Sequence, residues 1–386
     1  MTDPVRNLAG RHHWGRTSVY PEHPLLIVQN SAMPSSAPAA LPVPTLRLEL
    51  AVTTRTYTIL RPAALPVPTL RLERLRFQFQ ALDPIRLPNY SGSAWRGLLG
   101  HSLRRSVCVT RAPSCDGCLL RSHCVYSTFF ETPPASAETA KRYSALPHPF
   151  VLEPPPAGQR EHAPGDTLQL GLTLIGPAGD LLPYLIHALQ RAGELGLGRE
   201  GGRFRLRQVV QETDLGSDHW QPVFDAASGT LQPLRTAPQV PDPCPETLVL
   251  DLLTPLRIKQ DGHYMRAAQV SARALLGTLA ARVSLLAELY APEPAASGPA
   301  GSHAEPQILE RSALHAAIDQ VELEATQLRW VEWTRYSSRQ RTHMQLGGLL
   351  GQLRLGGPGI APLWPLIALG QWLHLGKGAS PGSPFS

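Results

Sequence analysis

The 386-residue sequence predicts an α+β protein built as two ferredoxin-like units in tandem. Three observations predict it. The length suits two domains at roughly 100 to 200 residues each. Residues 69–212 read as strand, helix, insertion, strand, helix, Gly-rich loop, strand, and a similar order restarts at Leu248. In such a unit each strand-helix-strand pass returns the chain to one sheet, so the order of elements already limits the topology.

The first strand is read from Leu75, where apolar and polar residues alternate through Phe77, Phe79 and Ala81, the period of a half-buried strand. A helix follows, with Ser91 or Ser93 placed to cap it and Trp95, Leu98, Leu99 and Leu103 forming one apolar stripe. Arg96, His101, Arg104 and Arg105 lie off that stripe and are expected to face outward. Leu168, Leu170, Leu172 and Leu174 alternate as a second strand. Asp180 is placed to cap a helix through Leu189, and a strand around Phe204 to Val209 follows the loop from Gly196 to Gly202. The remaining strand is expected inside the insertion.

The second unit opens at Leu248, Leu250 and Leu252 and continues into an Ala- and Leu-rich helix from about Ala267 to Leu289. Strands are predicted around Val321 to Trp333 and Gln345 to Leu355, and a helix from about Ile360 to Leu373. The resulting domains are 69–212 and 247–386, joined by a linker at 213–246. Residues 1–68 read as a poorly ordered extension rich in Pro, Ala, Ser and Thr. Within it the string AALPVPTLRLE at Ala39–Glu49 recurs letter for letter at Ala63–Glu73. One perfect pair reads as a duplication, since solenoids need about three or more repeats.

Lys and Arg number 36 against 30 Asp and Glu, a formal charge of +6, and nearly all the cations are Arg, whose planar fork suits phosphate and stacks on bases. The balance leans toward a nucleic-acid partner. No apolar run approaches the roughly 20 residues that span a bilayer, so no membrane association and a cytoplasmic location are expected. Four of the five cysteines fall in Cys108-x6-Cys115-x2-Cys118-x5-Cys124. That spacing suits a structural metal with four thiolate ligands, zinc first and a four-iron cluster second.

His101 is the first catalytic candidate, because a neutral imidazole beside Arg104 and Arg105 can move a proton while guanidinium groups hold phosphate. His343 and His374 are the others. The segment RWVEWTRYSSRQR, Arg329–Arg341, interleaves Arg with Trp330, Trp333 and Tyr336, a composition that suits looped or single-stranded RNA. Gly376, Gly378 and Gly382 around Lys377 make a loop whose bare backbone can approach a phosphate.

The order of SAWRGLLGHSLRRSVC (Ser93–Cys108), Tyr126–Glu131, PHPFVLEPP (Pro147–Pro155), LTPLRIK (Leu253–Lys259), RYSSRQRTHMQLGGLLG (Arg335–Gly351) and WLHLGKGASPG (Trp372–Gly382) resembles the CRISPR-associated repeat-RNA endoribonucleases, the Cas-six family of the RAMP superfamily. The resemblance implies paired RNA-recognition-type domains. It also implies cleavage of CRISPR precursor RNA within the repeat, with no cofactor in catalysis. By position it implies His101 as general base or acid, with Tyr336 and Lys377 as further catalytic candidates. Arg96, Arg104, Arg105, Arg335, Arg339, Arg341, Gly376, Gly378 and Gly382 become RNA contacts, and CRISPR repeat RNA and other Cas proteins the partners. The chain departs from the family at its end, where a last strand with further glycines is expected after Gly382. The rival readings are a non-catalytic RNA-binding subunit and a zinc-ribbon DNA-binding protein.

Overall fold

The computed structural model describes residues 48–50, 63–88, 91–134, 136–143, 146–155, 160–198, 200–236, 244–291, 310–324, 327–337 and 342–376. All of them lie in the larger of two compact units, Pro42–Ser386. A short strand, β1 (Leu48–Leu50), comes first. The first domain then runs β2 (Leu72–Ala81), β3 (Ile85–Arg86), α1 (Gly92–Val107), α2 (Val125–Phe130), α3 (Ala137–Arg142), β4 (Phe150–Glu153), β5 (Glu161–His162), β6 (Thr167–Ile175), α4 (Leu182–Leu195), β7 (Phe204–Glu212) and β8 (Trp220–Asp225).

Its main sheet is antiparallel, in the order β4-β6-β2-β7-β8. The first four positions are ferredoxin-like, and the strand expected in the insertion is β4, buried along its whole length. One face of β2 carries Leu75, Phe77 and Phe79 against the helices. Phe79 sits 5.4 Å from the Trp95 ring of α1 and 5.1 Å from Phe204 of β7. Leu99 and Leu103 continue this contact, and each large apolar side chain buried here contributes about 1.5–3 kcal/mol. Ser102 Oγ closes the helix pair by donating to the Ala188 carbonyl at 2.6 Å.

Three local expectations change. Ser91 precedes α1 but its side chain makes no capping hydrogen bond. Asp180 caps nothing; it lies in a 3-10 turn, Gly176–Leu181, and pairs with Arg71 at 3.1 Å and Arg235 at 3.6 Å. Pro183 instead begins α4, where a missing N–H costs no helical bond. Within 213–246 lies the strand β8, paired with β7 on the sheet edge. Pro222 hides its strand character in the sequence, and an edge position tolerates a proline.

The second domain runs β9 (Leu248–Leu256), β10 (Lys259–Gln260), β11 (His263–Tyr264), α5 (Ala272–Tyr290), α6 (Arg311–Ile318), β12 (Glu322–Glu324), β13 (Arg329–Ser337), β14 (Thr342–Gly356) and α7 (Ile360–Leu373). Its sheet has the order β1-β9-β14-β12, with β13 also on β14. Ser271 Oγ caps α5 by accepting from the Ala274 N–H at 3.2 Å, so the helix begins later than Ala267. A separate 3-10 turn, Ala267–Gln269, precedes it.

β1, Leu48–Leu50, lies within residues 1–68, which read as a poorly ordered extension. It pairs antiparallel with β9, on the edge that the last strand of a ferredoxin-like unit takes. The first copy of the duplicated string supplies it, while the second copy enters β2. One amino-acid pattern therefore serves two sheets, at the edge beside β9 and at the central position between β6 and β7, because LRLE has the alternation of a strand.

The two domains share apolar packing. Leu70, Leu72, Ile175 and Leu215 of the first are buried in the core of the second, and a β-carbon on Gly216 would sit 3.2 Å from Trp372.

Candidate functional site

His101 and Arg105 lie exposed on α1, one helical turn apart. The expectation that all four basic residues of this helix face outward fails for Arg96 and is weakened for Arg104. Arg96 is buried, its guanidinium 4.8 Å over Phe130 and 5.3 Å over Phe150. The aromatic surface of α2 and β4 gives it a cation-π environment, which removes it from contact with a ligand on the helix surface. Arg104 Nη2 donates to the carbonyls of Ala112 and Pro113, and its guanidinium lies 5.5 Å from the Tyr126 ring. It therefore fastens the cysteine loop to α1.

Cys108, Cys115, Cys118 and Cys124 line one cavity of about 550 Å³ together with Leu120, Tyr126 and His187. Thr110 Oγ1 stands between two of the sulfurs, 3.8 Å from Cys108 and 3.9 Å from Cys118. Among the described residues no three His, Cys, Asp or Glu side chains are arranged as the ligands of one metal ion. The sulfurs share a cavity without forming the closed tetrahedron that the spacing suggests. Burial raises the Cys115 thiol, with the nearby Glu131 carboxylate and the neighbouring cysteines adding to the effect.

Where the domains meet, charged and polar groups converge. Arg74 of β2 lies buried between Glu153 at 3.0 Å and Glu212 at 3.3 Å. Burial opposes the charge on Glu153, yet Arg74 and a hydrogen bond from Thr173 hold its carboxyl below the ordinary range. His374, at the end of α7, is one of the histidines considered for catalysis. Burial lowers its pKa to about 4, with the Arg282 and Arg74 charges acting the same way against the pull of Glu153. Such a group is neutral at pH 7, and it lies half-buried at the end of α7. His148 accompanies it, brought to about 3 by burial and by the charges of Arg96 and Arg282. Its Nδ1 lies 2.6 Å from Thr132 Oγ1. No sequence signal marks His148 beyond its place in PHPFVLEPP, because its environment depends on packing across the junction.

Of the residues near the C-terminus, Arg335 and Tyr336 fall on β13, opposite Met344 and His343 of β14. Gly376 has a φ of +91° and packs on the backbone of Arg257. Arg339, Arg341, Lys377, Gly378 and Gly382 lie outside the described residues. The described geometry thus brings His101 to Arg105, and Gly376 to Arg257.

The chain is an α+β protein with two antiparallel sheets, and the first domain presents an exposed histidine and arginine on α1. Residues 250–383 match the family model described as CRISPR-associated endoribonuclease Cas6, and residues 70–236 match a model described as an N-terminal domain. An uncharacterized protein of Archaeoglobus fulgidus is 26% identical over 177 residues, which span 45% of this chain and 57% of that relative. Among solved structures, a Cas6 product complex has 19% identity, a TM-score of 0.45 and coverage of 81% of this chain and 97% of that one. A partial Cas6-RT-Cas1–Cas2 complex has 16% identity, a TM-score of 0.46 and coverage of 82% and 45%.

Proposed function

We propose that this chain is a Cas6-type endoribonuclease that cleaves CRISPR precursor RNA within the repeat. The match of residues 250–383 to the Cas6 endoribonuclease family carries this reading, and the ferredoxin-like strand order of the first domain supports it. The ribose 2′-hydroxyl attacks the adjacent phosphate and the 5′-oxygen leaves, giving a 2′,3′-cyclic phosphate and a 5′-hydroxyl. The step needs one proton taken and one given, with cations at the crowded phosphorus. His101 moves a proton and Arg105 faces phosphate, with Tyr336 and Lys377 as further catalytic groups and Arg335, Arg339 and Arg341 along the RNA. The four cysteines hold a structural zinc, and other Cas proteins are partners of the processed RNA. Among the described residues no helix is long and apolar enough to cross a membrane.

Incubating labelled repeat RNA with the protein in EDTA tests the reading. Cleavage to a cyclic-phosphate end is expected, and RNA that is bound but uncut overturns it. That second outcome suits a non-catalytic RNA-binding subunit. The observation favouring this alternative is the diversion of Arg96 and Arg104 into packing, which leaves Arg105 as the exposed arginine of α1 near His101.

A further inference from the structure

A crevice of about 280 Å³ opens on the second domain, lined by Arg257, Lys259, Thr278, Arg282 and Gly376, with Pro147 of the first domain on its wall. None of its lining comes from α1 or from the cysteine loop. Three of its side chains are cations, and among the described residues none of the three is paired with a carboxylate. Arg282 Nε donates to the Leu373 carbonyl at 2.9 Å, whereas its Nη2 is buried with no hydrogen-bond partner among the described residues. Arg257 Nε is likewise buried and unpartnered, with its guanidinium 4.4 Å from the Tyr264 ring. A desolvated guanidinium without an anion is costly, and burial accordingly lowers Arg282 to about 10.

The groups around Arg282 do not neutralise it. His148 and His374 are held uncharged beside it, and Tyr290 is pushed above the ordinary phenol range by burial. Among the described residues no carboxylate is paired with Arg282. Gly376 lines the crevice with its bare Cα packed on the Arg257 backbone, where a β-carbon would sit 2.8 Å from the Arg257 carbonyl oxygen. An oxyanion entering the crevice would meet guanidinium and ammonium groups able to give it charge-assisted hydrogen bonds.

We infer that this crevice is an anion subsite that takes one backbone phosphate of a bound RNA strand, held by Arg257, Lys259 and Arg282. The inference rests on the RNA reading above and names a contact on the second domain separate from the His101 face. Anchoring a phosphate here ties the strand to the junction through Arg282, whose other contact is the C-terminal end of α7.

The test measures binding of a labelled single-stranded repeat RNA across salt concentrations, for the full chain and for Lys259→Ala and Arg257→Ala, with unfolding midpoints as a folding control. Each lost phosphate contact should reduce the slope of log K against log salt by about 0.7, with several-fold weaker binding at low salt. Arg191→Ala, which removes an exposed charge from α4, should leave the slope unchanged. RNA bound with an unaltered slope in both crevice variants overturns the subsite and leaves the RNA reading standing. A parallel thermal titration with inorganic pyrophosphate separates the two claims. If the full chain binds no RNA, yet pyrophosphate stabilises it and fails to stabilise Lys259→Ala, the anion site stands and the RNA reading falls. With neither RNA binding nor pyrophosphate stabilisation, the subsite is overturned.

Discussion

Gly176 meets Tyr290 at the point where the two domains touch: a β-carbon on Gly176, whose φ is +60°, would collide with the Tyr290 carbonyl oxygen. Tyr290 in turn donates its hydroxyl to the Pro147 carbonyl at 2.7 Å. Gly176→Ala therefore adds left-handed strain and an overlap that only a shift between domains can relieve. A loss of about 2–4 kcal/mol is expected, read as a lower urea midpoint. An unchanged midpoint would show that the domain contact is looser than described.

Arg74 stands between two buried carboxylates, Glu153 and Glu212. Removing it alone leaves both without their cation, so Arg74→Met should cost about 3–5 kcal/mol. Pairing it with Glu153→Gln should recover part of that loss, since one uncompensated charge is gone. Chemical denaturation of the single and double variants checks this, and strictly additive losses would deny the coupling.

The junction histidines set a pH dependence. His148 and His374 are lowered from 6.5 to about 3 and about 4, so the folded chain refuses protons that the unfolded chain accepts. Their contribution is fully present above about pH 6.5 and is lost as pH falls toward 4 and then 3. Each contributes a slope of up to about 1.4 kcal/mol per pH unit inside that window. Melting temperatures measured from pH 7.5 to 5 should fall, and His148→Gln with His374→Gln should flatten the decline. An equally steep decline in the double variant would place the titrating groups elsewhere.

Much of this architecture was legible because it rests on local periodicity. Phe77 and Phe79 alternate, Trp95, Leu99 and Leu103 share a helix face, and Leu248 to Leu252 repeat the strand signal. What stayed hidden depends on partners distant in sequence. Arg96 looks like a surface residue by helical phase, yet Phe130 and Phe150, 34 and 54 residues away, cover it. His148 and Arg282 acquire meaning only where the domains close on them. β1 escaped because its strand forms by pairing with β9, about 200 residues later.

The cysteine loop yields a prediction about metal. The four thiols already line one cavity, and Arg104 holds the loop to α1, so a zinc ion need only draw the sulfurs inward to complete its tetrahedron. Protein prepared with zinc should carry about one equivalent, counted by elemental analysis, and a strong chelator should lower its melting temperature. Cys115→Ser with Cys118→Ser should abolish both the stoichiometry and the chelator effect. Metal-free protein with full stability would remove zinc from the account.

His101 is exposed and Arg105 lies one turn beyond it, while Arg104 serves the cysteine loop, so the two residues should separate in kinetics. His101→Ala removes the proton-transfer group and should slow cleavage by about 10²- to 10⁴-fold with RNA binding largely intact. Arg105→Ala should slow cleavage and also weaken RNA binding, because a phosphate contact acts in both. Arg104→Ala should act differently from either, lowering thermal stability by loosening the loop that its guanidinium holds at Pro113. Single-turnover cleavage rates, filter binding and melting curves on the three variants distinguish these roles. Cleavage undiminished in His101→Ala would move the proton transfer to another group and leave α1 as a binding surface.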